Sequence, residues 1–198
     1  MVQLEQGMTA HPYVGGPALD RYVIDPRYVP RSAGTLSYWF SPFYDASDTR
    51  WEDSGTSPRP IRMVGISDRN DSTVLFLRKF GNSLTFGIQH GTGWNSATWS
   101  SLTPLWTAGS WHHVALTWGG ANGMALYYDG QLVTTHPYAG GIYTGGSNGQ
   151  TALGSLYLSG MTGNTTYAQN ATIDKLRIYD APRSPQEIAR EYLGVTGN

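Results

Sequence analysis

Residues 111–136, Trp-His-His-Val-Ala-Leu-Thr-Trp-Gly-Gly-Ala-Asn-Gly-Met-Ala-Leu-Tyr-Tyr-Asp-Gly-Gln-Leu-Val-Thr-Thr-His, constrain the fold more tightly than any other stretch. From Trp111 to Trp118 the side chains alternate between two faces. His112, Val114, Leu116 and Trp118 form the more apolar set, which should meet a core. Gly119, Gly120, Asn122 and Gly123 supply a turn, because Gly and Asn reach positive φ at little cost. A second run, Met124–Tyr128, meets Asp129-Gly130, the pair best suited to a type I′ hairpin turn, and Gln131–His136 returns. Three consecutive antiparallel strands are therefore predicted. Such a ribbon is scaffold and carries no catalytic pattern.

The rest of the chain fits a β protein. Its 198 residues suit one sandwich-sized domain. Aromatic residues at 13% and 25 Gly favour short strands joined by tight turns. The charged fraction, 14%, is low, so Ser, Thr, Asn and Gly must make up much of the surface. With a formal net charge of −1 and no basic run, the footprint expected of a nucleic-acid binder is absent. There is no Cys, which excludes disulfides, thiolate metal sites and a Cys nucleophile. The first ten residues lack the basic and apolar regions of a secretory signal, and no apolar run is long enough to span a bilayer. On that reading the protein is made and kept in the cytoplasm of its producing cell, or a signal has been removed from it.

Residues 1–16 are rich in Gly, Pro and polar side chains without periodicity. They read as an extended arm preceding a sandwich over 17–198. Further strands are predicted at Leu19–Ile24, Thr35–Ser41, Ile61–Ile66, Thr73–Phe80, Leu84–His90, Thr151–Ser159 and Ala171–Tyr179, with long loops over 45–60, 91–110 and 137–150. One helix closes the chain. Ser184-Pro185-Gln186-Glu187 is a capping box, Ile188, Ala189, Tyr192 and Leu193 form an apolar stripe, and Gly194 is a stop. So short a helix must dock on the sandwich to persist.

With these pieces in order, the chain resembles the laminin G-like, concanavalin A-like jelly-roll family. The likeness is carried by Gly34–Pro42 (GTLSYWFSP), Trp111–Thr117 (WHHVALT), Leu126–Gly130 (LYYDG), Leu156–Gly160 (LYLSG) and Ile173–Ile188 (IDKLRIYDAPRSPQEI). The resemblance implies an all-β antiparallel jelly-roll sandwich with an N-terminal arm and a short C-terminal helix. It does not imply one function, because such folds host sugar binding, adhesion, hydrolysis and structural roles. The family's hydrolases carry Glu-x-Asp-x-Glu on one strand. Here the four Glu are Glu5 in the arm, Glu52 in a loop, and Glu187 and Glu191 on the helix, so no catalytic residue is assigned. His112 and His113 are adjacent on a strand and point to opposite faces, which excludes joint metal ligation.

Three sets of candidate site residues remain. Trp94, Asn95 and Trp99 lie on a polar, Gly-rich segment. They are candidates for stacking on sugar rings or anchoring a protein interface, the alternative being that one or both Trp fold onto the core. Asp68, Asn70 and Asp71 cluster oxygen ligands as calcium loops do, although Asp, Asn and Ser are also ordinary turn formers and Arg69 dilutes the charge. Leu4, His11 and Tyr13 are the arm positions assigned to partner contact. Apart from calcium no cofactor is expected. The leading functional expectation is a non-enzymatic structural module of the kind that bacteriophage virions use as capsid decoration or tail components. In that reading it binds neighbouring protein subunits through arm and sandwich face, with no nucleic-acid or membrane partner, and it resides in the virion. The alternative is a carbohydrate-binding, lectin-like module using the rim-loop Trp residues.

Overall fold

A computed structural model describes residues 2–3, 28–48, 61–68, 73–90, 93–101, 106–121, 123–142, 153–157 and 171–194. Eleven strands and one helix run in the order β1 (Val2–Gln3), β2 (Gly34–Pro42), β3 (Ile61–Asp68), β4 (Thr73–Phe80), β5 (Ser83–His90), β6 (Gly93–Trp99), β7 (His112–Gly120), β8 (Gly123–Tyr128), β9 (Gln131–His136), β10 (Leu153–Tyr157), β11 (Ala171–Tyr179) and α1 (Pro185–Tyr192). They form a six-stranded sheet, β1-β11-β2-β7-β8-β9, and a five-stranded sheet, β10-β3-β4-β5-β6. All pairings are antiparallel. The predicted all-β sandwich with a C-terminal helix is the observed architecture.

The predicted ribbon forms as read. β7, β8 and β9 pair in succession, and Asp129 and Gly130 both take positive φ, 47° and 76°, as a type I′ turn requires. The ribbon occupies one flank of the six-stranded sheet, ending in edge strand β9, while β2 and β7 lie at the sheet's centre. Alternation works as expected: Val114, Leu116 and Trp118 join Leu36, Tyr38, Phe40, Leu126 and, from the facing sheet, Leu75, Leu77, Phe86 and Ile88 in one core. The opposite face of the ribbon is also covered, because Ala115, Ala125 and Tyr127 pack with Ile188 of α1.

One prediction needs correction. Residues 91–110 were read as a loop, yet Gly93–Trp99 is a full strand laddered to β5; pairing across a long sheet overrides the weak local propensity of Gly, Asn and Ser. Of the arm, 1–16, only Val2 and Gln3 are among the described residues, and they pair with Ile178 and Arg177 of β11 of their own chain. The predicted strand Leu19–Ile24 lies outside the described residues.

Candidate functional site

One end of the sandwich carries a rim built from two segments, residues 42–46 after β2 and 106–111 before β7. Because β2 and β7 are neighbours, with Phe40 paired to His112, the two segments leave the sheet side by side. Five hydrogen bonds brace the rim. Gly109 N donates to Pro42 O (2.8 Å), Ala108 N to Asp45 Oδ1 (2.8 Å), Ala46 N to Trp106 O (3.2 Å), Trp106 Nε1 to Tyr44 O (3.2 Å) and Lys79 Nζ to Ala46 O (2.6 Å). The last is a buried lysine of the facing sheet, so both sheets hold the rim. Trp106, 2% exposed, packs against Phe40 with ring centroids 4.9 Å apart. On this base Phe43 and Trp111 are 46% and 47% exposed. Large aromatic side chains held open on hydrogen-bonded backbone bind a partner with little further ordering. Neither residue was singled out from the sequence. The available signal was Trp111 itself, a large aromatic on the less apolar face of its strand.

The two histidines take separate structural roles. On the core side, His112 Nδ1 lies 2.9 Å from Asp129 Oδ2 while its ring packs against Tyr128 at 5.1 Å. Beneath the helix, His113 Nε2 lies 3.4 Å from Glu191 Oε1, and Glu191 also accepts from Ser37 Oγ (2.6 Å) and Tyr179 Oη (3.1 Å) and pairs with Arg177 (3.3 Å). Burial pushes the Glu191 carboxyl up, but hydrogen bonds from His113 and Ser37 and the charges of His113 and Arg177 outweigh it, lowering the pKa to about 2. Glu187 is engaged in the capping box, its carboxylate accepting from the Ser184 N–H at 2.8 Å and pairing with Arg183.

The predicted ligand set Trp94, Asn95 and Trp99 does not converge. Positions 94 and 99 are an odd number of residues apart on one strand, so their side chains leave opposite faces. Trp94, 43% exposed, rests on Phe76 at 4.8 Å on the outer face of the five-stranded sheet. Phe76 in turn lies over Gly87, where a Cβ would overlap the ring, and Arg78 sits 5.0 Å from its centroid. Trp99 turns inward onto Tyr128 at 5.0 Å and joins the core; Asn95, four residues before it on the strand, is half-buried. The two-Trp platform is thus reduced to one ring. Asp68 ends β3 opposite Leu153, whereas Asn70, Asp71, Leu4, His11 and Tyr13 lie outside the described residues. Among the described residues no three His, Asp or Glu side chains come together as a metal site, and no helix is long and apolar enough to cross a membrane.

A laminin G family model, described as the concanavalin A-like lectin/glucanases superfamily, matches residues 20–189. The chain belongs to that superfamily. No curated protein matches it in sequence. Solved structures with similar folds include the receptor binding domain of botulinum neurotoxin D, with a TM-score of 0.55 and 14% identity, covering 84% of this chain and 38% of that one. The botulinum neurotoxin serotype D ligand binding domain in complex with N-acetylneuraminic acid aligns with a TM-score of 0.57 and 13% identity over 84% of this chain and 37% of that one. The native heptameric SAP-like pentraxin from Limulus polyphemus gives 0.54 and 15%, over 83% and 72%. The chain spans less than two-fifths of either toxin domain's length. At these identities the likeness shows the fold.

Proposed function

We propose that this protein is a non-enzymatic structural binding module, a virion component of the capsid-decoration or tail-associated kind, that holds neighbouring protein subunits at its braced rim. The observation that carries this reading is the pair Phe43 and Trp111, both nearly half exposed on two segments cross-linked by hydrogen bonds. Aromatic anchors on a rigid base are the usual energetic centre of a protein interface. The non-enzymatic reading draws support from Glu187 and Glu191, both engaged in fixing the helix. The virion assignment rests on the sequence: a cysteine-free, weakly charged sandwich with an arm. Its test is mass spectrometry of purified virus particles from the producing cells, with a photo-crosslinking residue in place of Trp111. The expected result is the chain present in regular copy number and joined at that position to a capsid or tail subunit. Absence from particles overturns the virion assignment, and equal incorporation of Phe43→Ala and Trp111→Ala overturns the rim.

A second reading is favoured by Trp94. Its exposed ring, steadied by Phe76, has Thr98 and Ser96 of the same strand on the same face, the mix of apolar surface and hydroxyls that suits a sugar ring. Because one toxin relative is described in complex with N-acetylneuraminic acid, sialylated glycans are the first probes. Glycan-array binding that disappears in Trp94→Ala would establish a lectin; no binding to any glycan would dismiss it.

A further inference from the structure

Open sheets end in strands whose outer N–H and C=O groups lack partners, and proteins blunt such edges with short strands, charge, proline or bulges. The described sheets end on four strands. β1 is two residues long. β10 has five residues and a register shift between Leu153 and Leu156. β9 is shifted against β8 between Leu126 and Tyr127 and runs directly into Pro137. β6 has none of these devices. Its seven residues, Gly-Trp-Asn-Ser-Ala-Thr-Trp, include no charge and no proline. They pair with β5 without interruption from Leu84↔Trp99 to His90↔Gly93. Gly93, Trp94 and Thr98 are exposed, and among the described residues no strand is hydrogen-bonded to the far side of β6, although β9 of the facing sheet comes alongside it.

The geometry points to β6 as a self-pairing edge: a second copy of the chain adds its own β6 antiparallel, joining two five-stranded sheets into one sheet of ten strands about a two-fold axis. The strand itself argues for that occupant. A symmetric pairing that uses all seven residues places Gly93 opposite Trp99, Trp94 opposite Thr98, Asn95 opposite Ala97, and Ser96 opposite its own copy. In this register every residue keeps to its own face of the sheet. It creates two aromatic–β-branched pairs of the stabilising kind, Trp94 with Thr98, and brings no like charges together. A charged partner strand would find no counter-charge along β6, whereas the strand is its own complement. The contact is independent of the rim and leaves Phe43 and Trp111 free for another partner.

The register makes Ser96 the point of test. The full-length chain is expected to be dimeric by analytical ultracentrifugation, with amides of residues 93–99 gaining protection from hydrogen exchange as its concentration rises. Ser96→Lys and Ser96→Glu each place like charges opposite one another and should give folded monomers. An equimolar mixture of the two should restore the dimer, because Lys then faces Glu; this rescue separates self-pairing from a simple folding defect. Asp180→Lys, exposed after β11 and far from β6 in the strand order, should leave the dimer intact. A wild-type monomer at the highest soluble concentration overturns the proposal, as does a dimer indifferent to Ser96 or a mixture that stays monomeric. Should the variants fail to fold, concentration-independent exchange at 93–99 in the wild type also overturns it.

Discussion

The Glu191 carboxylate is 6% exposed yet stays charged, because Ser37, His113, Arg177 and Tyr179 all point donors at it from β2, β7 and β11. Removing a single partner from a buried ionic cluster leaves the other charges uncompensated, which costs about 3–5 kcal/mol. Glu191→Ala should therefore destabilise the protein severely. The pH dependence follows from the direction of the shift. Burial alone would raise the carboxyl, but its donors lower the pKa from 4.5 to about 2, so the folded value lies below the unfolded one. Stability from this group is complete above about pH 4.5 and drains away as pH falls towards about 2. The amount at stake is on the order of 3 kcal/mol. Thermal melts across that window should show Tm falling steeply in the wild type and less steeply in Glu191→Gln, which has no proton to gain; equal slopes would remove Glu191 from the account. The cluster was invisible to sequence reading, since Ser37, His113 and Glu191 come together only through the strand order and the docked helix.

Strands and helix differ in how plainly the sequence announces them. α1 was legible because capping chemistry is local: the Ser184 side chain meets the Glu187 N–H at 3.3 Å, and Pro185 opens the helix. The ribbon from β7 to β9 was legible because apolar alternation and Asp129-Gly130 act over neighbouring residues. β6 was missed because Gly93, Asn95 and Ser96 give the segment the composition of a loop, and its inward residues, Asn95, Ala97 and Trp99, become a face only through the pairing to β5. The same error joined Trp94 and Trp99 into one platform, although their odd spacing already separates them on any strand. A mutant pair checks the two-face assignment. Trp99→Ala removes a ring packed on Tyr128 and the core, and should cost about 2–4 kcal/mol in urea unfolding. Trp94→Ala strips a ring that is 43% exposed on the outer face and should cost about 1 kcal/mol or less. The reverse order would mean that the faces are exchanged.

The molecule divides its labour between a scaffold sealed by its own helix and a rim left open. On the outer face of the six-stranded sheet, Ile188 closes over Ala115, Ala125 and Tyr127, and Tyr192 stacks on Trp39 at 5.6 Å with ring planes 15° apart. The part of that face beneath the helix is closed within the chain. The rim is equally well fixed by hydrogen bonds, yet it ends in Phe43 and Trp111, which remain nearly half exposed. If the rim exists for binding, stability and association must separate on mutation. Ile188→Ala opens a cavity under the helix and should cost about 2–4 kcal/mol of stability, with partner affinity at the rim unchanged below the melting transition. Phe43→Ala and Trp111→Ala should each move stability by about 1 kcal/mol or less while weakening association by roughly tenfold or more, as interface anchors do. Calorimetric melts and binding isotherms on the same three variants decide the matter. A rim variant that melts as early as Ile188→Ala would show that Phe43 or Trp111 serves the fold, and the open rim would lose its claim to be the site.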